Sequence, residues 1–201
     1  MRVRQPLLTL VLAQALVGVS SATGQVSRPV PNGRVVSGTL SFDGHATAGD
    51  FVGSTTEVSG RLTGAPDVAQ VRGWVEAPVK TLKTGNGKRD KDLNKSMESD
   101  KYPTIRFDLA RVTRTAGAGA GAGDSLGVML HGTMTIHGVT RPVDLPGTIR
   151  FEGPTARLRT DFPLNLKDYR IGGLTKMLGI LKMHEDIEVH SNLIFQLDRS
   201  T

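Results

Sequence analysis

Apolar and polar residues alternate through SGTLSFDGHA, where Leu40 and Phe42 fall on one face and Thr39, Ser41 and Asp43 on the other. This is the period of two that an extended strand imposes on its side chains. It continues in STTEVSGRLTG, with Val58, Gly60 and Leu62 opposite Glu57, Ser59 and Arg61. In VAQVRGWVEAPV, Val71, Val75, Ala77 and Val79 face away from Arg72 and Glu76, leaving Trp74 on the polar side or at a bulge near an open end. TIRFDLARV sets Ile105, Phe107 and Leu109, and Arg111 if the alternation holds, against Arg106 and Asp108. GVMLHGTMTI sets Val128, Leu130, Met134 and Ile136 against His131, Thr133 and Thr135. With RPVDLPGTIRFEG, ARLRTDF and EDIEVHSNLIFQL, the pattern predicts about eight strands.

Strands with one apolar face each, and few helices to cover them, must close into a barrel or stack as a sandwich. Gly38, Gly44, Gly60, Gly73 and Gly132 lie inside strand patterns, where glycine marks bulges and barrel corners. The expected fold is therefore all-β, an eight-stranded antiparallel barrel. A barrel of about eight strands is near the size at which the interior holds one small ligand instead of being filled by side chains.

Two stretches break the alternation. In TGNGKRDKDLNKSMESDKYPTIRF, Gly85, Asn86 and Gly87 offer the positive backbone angles of a tight turn. Asp90 then caps a short helix carrying Leu93 and Met97 on one face, and Pro103 forces Tyr102 out of helical geometry into the next strand. The second break is IGGLTKMLGILKM, Ile171 to Met183, where Leu174, Met177, Leu178 and Leu181 recur at helical spacing. A short amphipathic helix is expected there, either a static cap on the barrel end or a mobile gate hinged at Gly172, Gly173 and Gly179. TAGAGAGAGDS, Thr115 to Ser125, reads as a flexible hairpin tip.

At the amino terminus, Arg2 and Arg4 precede an apolar run from Leu7 to Val19 and then the small residues Ser20, Ser21 and Ala22. That is the order of a secretory signal peptide, residues 1–24, ending at Ala22 or Gly24. Its apolar run is shorter than the ~20 residues of a membrane span. Residues 25–34 are expected to be a flexible lead and residues 35–198 the domain. The chain contains no cysteine, so an exported protein of this size relies on its core and not on disulfides. Removal of the two signal arginines takes the net charge from +6 to +4, and the basic residues are not interleaved with aromatics as base stacking requires, so nucleic acid is not an expected partner.

The residues of KTGNGKRDKDLNKSMESDKYPTIRF resemble the TGN-RD-L-KYP-I-F signature of the YceI-like family, and LHGTMTIHGVTRPVDLP is similar to that family's second signature. The resemblance covers roughly Val35 to Leu197 and departs from the usual pattern in the glycine-rich loop and in GGLTKMLGILKM. It implies an exported lipid-binding protein with an extended lipocalin-like barrel, whose apolar tunnel holds a polyisoprenoid or another long-chain amphiphile.

On the apolar faces, Phe42, Val75, Ile105, Phe107, Leu130, Met134 and Ile136 are the expected tunnel lining, with core packing as the competing role for each. Lys88 and Arg89 are the candidate headgroup contacts, although GNGKRD lacks the spacing of a phosphate loop and an Arg89–Asp90 ion pair bracing the crossover is the plainer role. His131 and His137, six apart on a strand pattern, share a face but lack the further ligands of a metal site, as do His184 and His190. No nucleophile elbow is present. Together with the resemblance, these residues favour a non-enzymatic carrier of a long-chain ligand such as an isoprenoid, quinone or fatty-acid derivative, periplasmic as the first choice and secreted as the second, with no other cofactor. Such a carrier would act as a monomer or homodimer with transient contact to an anionic membrane. The alternatives are a barrel hydrolase or isomerase in which His131 or Asp144 converge inside a pocket, and a ligand-free stress-protective module.

Overall fold

The computed structural model describes residues 29–47, 49–115, 125–172, 175–176 and 181–199. The alternating segments form β1 (Gly33–Gly44), β2 (Phe51–Thr55), β3 (Ser59–Thr63), β4 (Arg72–Pro78), β5 (Thr104–Arg114), β6 (Ser125–Ile136), β7 (Val139–Glu152) and β8 (Thr155–Asn165), then β9 (Thr175–Lys176), β10 (Leu181–Lys182) and β11 (Asp186–Leu197). One helix, α1 (Gly87–Ser96), interrupts them between β4 and β5. Neighbouring strands run β11, β8, β7, β6, β5, β4, β3 and β1, and β1 pairs back onto β11, so these eight close into an antiparallel barrel with β2 as an extra strand. Closure joins the start of β1 to the end of β11, since Gly33 lies opposite Leu197.

STTEVSGRLTG is not one strand, as its alternation suggests, but parts of two. β3 pairs with Gly33 and Arg34 at one end of β1, and β2 pairs with Leu40 to Gly44 at the other. The break comes after Thr55, whose hydroxyl turns to the Thr81 hydroxyl (2.7 Å) and accepts the Glu57 amide (3.0 Å). Lys83 then takes the place beside β2, exchanging two backbone bonds of 2.8 Å with Ser54. Bulges fall between Val35 and Ser37 in β1 and between Leu109 and Arg111 in β5. The second one resets the alternation, so that Val112 is buried and Arg111 faces out, against the expectation for Arg111. At Gly132, opposite Leu109, any Cβ would overlap the Asp108 carbonyl, so the corner at the bulge admits only glycine.

The barrel interior divides into two parts. Val30, Val68, Val71, Phe195 and Leu197 are buried at the end where β1 begins. Val30 exchanges backbone bonds with Ala65 at 2.8 and 2.9 Å, so the described part of the expected flexible lead, residues 29–34, belongs to the barrel. The other end carries α1, the 45–50 loop, the turn Leu166–Tyr169 and the β9–β10 ladder. Thr175–Lys176 and Leu181–Lys182 pair as antiparallel strands, which overturns the helix expected over Ile171–Met183. Two adjacent glycines, β-branched residues and a length below that of a self-sustaining helix all work against helix there. Leu174, Met177 and Leu178 lie outside the described residues, as do the signal segment and residues 116–124 of the glycine-rich tip. Leu181 is described only as backbone in β10.

Candidate ligand-binding site

Strand alternation turns large apolar side chains from every wall toward the α1 end of the barrel. They enclose a cavity of about 490 Å³. Phe42, Val75, Ile105, Phe107, Leu130, Met134 and Ile136 all border it. The pattern did not single out Leu145 from β7, Leu158 and Phe162 from β8, or Ile187, Val189 and Leu193 from β11, which complete the wall. Their strands were legible, but which of their two faces turns inward was settled only by pairing. Trp74 lies on the outer face, where the Arg106 guanidinium stands 4.7 Å over its ring and bonds Asp108 and Glu76.

The mouth lies between α1 and the 45–50 loop. Leu93 of α1 and Met97 at its C-cap line the cavity, as do Ala46, Phe51 and Met183. Phe51 meets Phe42 edge to face at 6.1 Å between ring centroids, and Met183 bridges to Ala46. The helix begins by a different device from the one expected. Asn86, not Asp90, is the N-cap, its side chain accepting the Lys88 and Arg89 amides at 3.0 and 3.1 Å. Asp90 reaches back to the Thr84 amide (2.9 Å) and hydroxyl (2.6 Å), and those bonds hold its carboxyl below the usual value. Of the three turn residues only Gly85 has positive φ, +73°, while Asn86 is extended at φ −135°.

Lys88 and Arg89 both border the cavity, but differ in role. Lys88 is exposed. Arg89 donates from Nη2 to the Thr84 carbonyl (2.9 Å) and lies 4.1 Å over the Phe51 ring. The crossover is therefore braced by Arg89 and Asp90 each bonding Thr84, not by the ion pair expected between them. Asp50, Lys88, Arg89 and Asp92 make the mouth polar, whereas the strand wall is apolar apart from Ser41, Glu76, Thr160 and Ser191.

The titratable groups that a catalytic reading needed inside the barrel lie elsewhere. His131 is bonded to Asp144 (2.6 Å) and Thr113 (2.9 Å), on the face opposite to buried Val112, Leu130 and Leu145. His137 does not share that face. It occupies the β6–β7 turn at φ +52°, with Gly138 at +72°, and its ring contacts the Tyr169 carbonyl and Glu98 at 3.1 Å. His190, on the outer face of β11, is held by Asp161 (2.6 Å) and Asp43 (3.4 Å), which raise its pKa, the Asp161 bond most of all. His184 is exposed. Among the described residues no group of three or more His, Cys, Asp or Glu is arranged to hold a metal.

A family model for the YceI-like domain matches residues 21–195. The chain belongs to the YceI-like family. Its fold recurs in BcnA of Burkholderia cenocepacia, at TM-score 0.65 and 17% identity over 78% of this chain and 95% of that one. It recurs also in a polyisoprenoid binding domain from Saccharophagus degradans implicated in plant cell wall breakdown, at TM-score 0.66 and 14% identity over 84% and 99%. The YCEI protein of Campylobacter jejuni matches at TM-score 0.57 and 16% identity over 74% and 85%. No curated protein matches the chain significantly. In this YceI-like barrel the two signature stretches meet at the β6–β7 turn. Tyr102 of the first packs edge-on against His137 of the second, 4.7 Å between centroids, and Glu98 bonds the same imidazole.

Proposed function

We propose that this chain is an exported carrier that holds a long-chain apolar or amphiphilic molecule, of the isoprenoid, quinone or fatty-acid kind, inside its barrel. The observation that carries this reading is the apolar cavity of about 490 Å³ with a polar mouth, within the ~300 to 1,000 Å³ of small-molecule sites. The wall would take the chain and Lys88 the polar end. A catalytic role draws no support from His131 and Asp144, which pair outside the barrel. Solvent extraction of the purified protein followed by mass spectrometry should yield a long-chain species in near-stoichiometric amount. An extract free of any such species, from protein that also fails to take up long-chain probes, would overturn the reading.

Two further parts of this reading concern where the carrier works. Residues 1–24 would direct export to the periplasm, and amino-terminal sequencing of periplasmic protein should begin after Ala22 or Gly24. Lys176 and Lys182, opposite each other's neighbours in the β9–β10 ladder, would dock on an anionic membrane during transfer. Reversing both to Glu should then slow transfer from anionic vesicles, as should added salt, because exposed charges are screened within ~8 Å at physiological ionic strength. Rates indifferent to both would remove the membrane step and leave the carrier.

A further inference from the structure

Thr160 and Ser191 lie directly opposite each other on β8 and β11, with their hydroxyl oxygens 2.8 Å apart. Both border the cavity, and Thr160 is only 4% exposed. Along the same strands their inward neighbours are Leu158 and Phe162 on β8 and Val189 and Leu193 on β11. A hydroxyl pair thus sits between apolar neighbours on both strands. Thr160 lies four residues before Leu164, about 13 Å along the strand.

Two hydroxyls bring two protons, and their mutual bond uses one. Among the described residues the protein offers no acceptor for the other. The other hydroxyl pairs differ. Between Thr55 and Thr81 the second proton goes to the Pro78 carbonyl at 2.8 Å, and the Thr135–Thr140 pair is exposed to water. Thr160 is buried and Ser191 half-buried, so the remaining proton faces the cavity, a place where a guest can supply the acceptor that the fold does not. Leu158, Phe162, Val189 and Leu193 beside the pair carry no charge, which disfavours an ionised group against it.

We propose that Thr160 and Ser191 form a ligand-anchoring site that donates a hydrogen bond to a neutral acceptor, such as a ketone, quinone, ester or amide carbonyl, carried by the bound chain. This rests on the carrier reading and sharpens it, since an unbroken hydrocarbon leaves the donor unanswered. The site selects the position of the acceptor along the guest as well as its chemistry.

The test uses the full mature chain after delipidation, titrated with octadecanoate and with a series of oxo-octadecanoates whose ketone steps along the chain. One ketone position should bind about three- to tenfold more tightly than octadecanoate, the worth of one net hydrogen bond. Thr160→Val combined with Ser191→Ala should erase that preference, bringing every ketone position level with octadecanoate in the same variant, and Ser191→Thr, which keeps the hydroxyl, should preserve it. Thermal melts of each variant confirm the fold. A flat series in the unmodified protein, or a preference that survives loss of both hydroxyls, overturns the anchoring site and leaves the carrier standing. Failure of every probe, octadecanoate included, overturns the carrier reading itself.

Discussion

Gly85 and Gly87 stand two residues apart in one turn and carry opposite requirements. Gly85 has φ +73°, where a side chain crowds the following carbonyl, so Gly85→Val should cost about 1 to 2 kcal/mol and lower Tm by ~2 to 8 °C. Gly87 opens α1, and a Cβ there meets nothing within 4 Å. Gly87→Ala should therefore leave Tm unchanged or raise it, because alanine has less chain entropy to lose. Thermal melts of the two variants check the pair. His190 gives a residue-level pH dependence. Its folded pKa is raised, chiefly by Asp161 and then by Asp43. The stability it contributes is full below its unfolded value of ~6.5 and is lost as pH rises through the folded value. Denaturant melts of His190→Gln should accordingly show a deficit at mildly acidic pH that shrinks in alkaline buffer, and a deficit constant with pH would contradict this.

The helix α1 is the element on which the site depends, because it brings Leu93 and Met97 over the cavity while its first turn is tied to Thr84. Losing the cap through Asn86→Ala should cost about 1 kcal/mol. Since the frayed end borders the mouth, release of a bound fluorescent fatty acid should speed up more than the fall in Tm alone suggests. Unchanged release with lowered Tm would make α1 a structural crossover only. This helix was legible because Pro103 and the Gly-Asn-Gly turn bound it on both sides. The β9–β10 segment was misread because leucines and methionines at helical spacing also suit a short two-stranded ribbon. In so few residues, the pairing of Thr175 with Lys182 outweighs any local preference.

At the scale of the whole molecule the barrel holds its cavity of about 490 Å³ toward α1 and only a small one of about 70 Å³ toward the start of β1, and phenylalanines in the two halves should answer differently to substitution. Phe195 is 2% exposed among Leu193, Leu197 and Ala156 and does not border the cavity. Phe195→Ala should lose about 3 to 5 kcal/mol of stability with little change in ligand capacity in whatever fraction remains folded. Phe107 borders the cavity, so Phe107→Trp should leave Tm nearly intact while crowding the guest by about 1 kcal/mol or more, at least ~fivefold in retention. Melts beside probe titrations separate the two. If both variants lost stability alone, the hollow end would be ordinary core.

The alternation of apolar and polar residues determined by itself that the chain is all-β, where most of the barrel strands lie and which faces of several of them are apolar. It did so because a strand's side-chain period is fixed by backbone geometry and needs no partner. That is why Phe42, Val75, Ile105, Phe107, Leu130, Met134 and Ile136 could be placed on one inner surface. Only the tertiary structure decided what that surface encloses. The bulge that turns Arg111 outward, the break that splits β2 from β3, and the closure of Gly33 against Leu197 all arise from pairings between residues far apart in the chain. The same is true of Thr160 and Ser191, thirty-one residues apart, unremarkable as two small polar residues on separate strands. They form a site only because register sets one against the other, facing a cavity that no single strand contains.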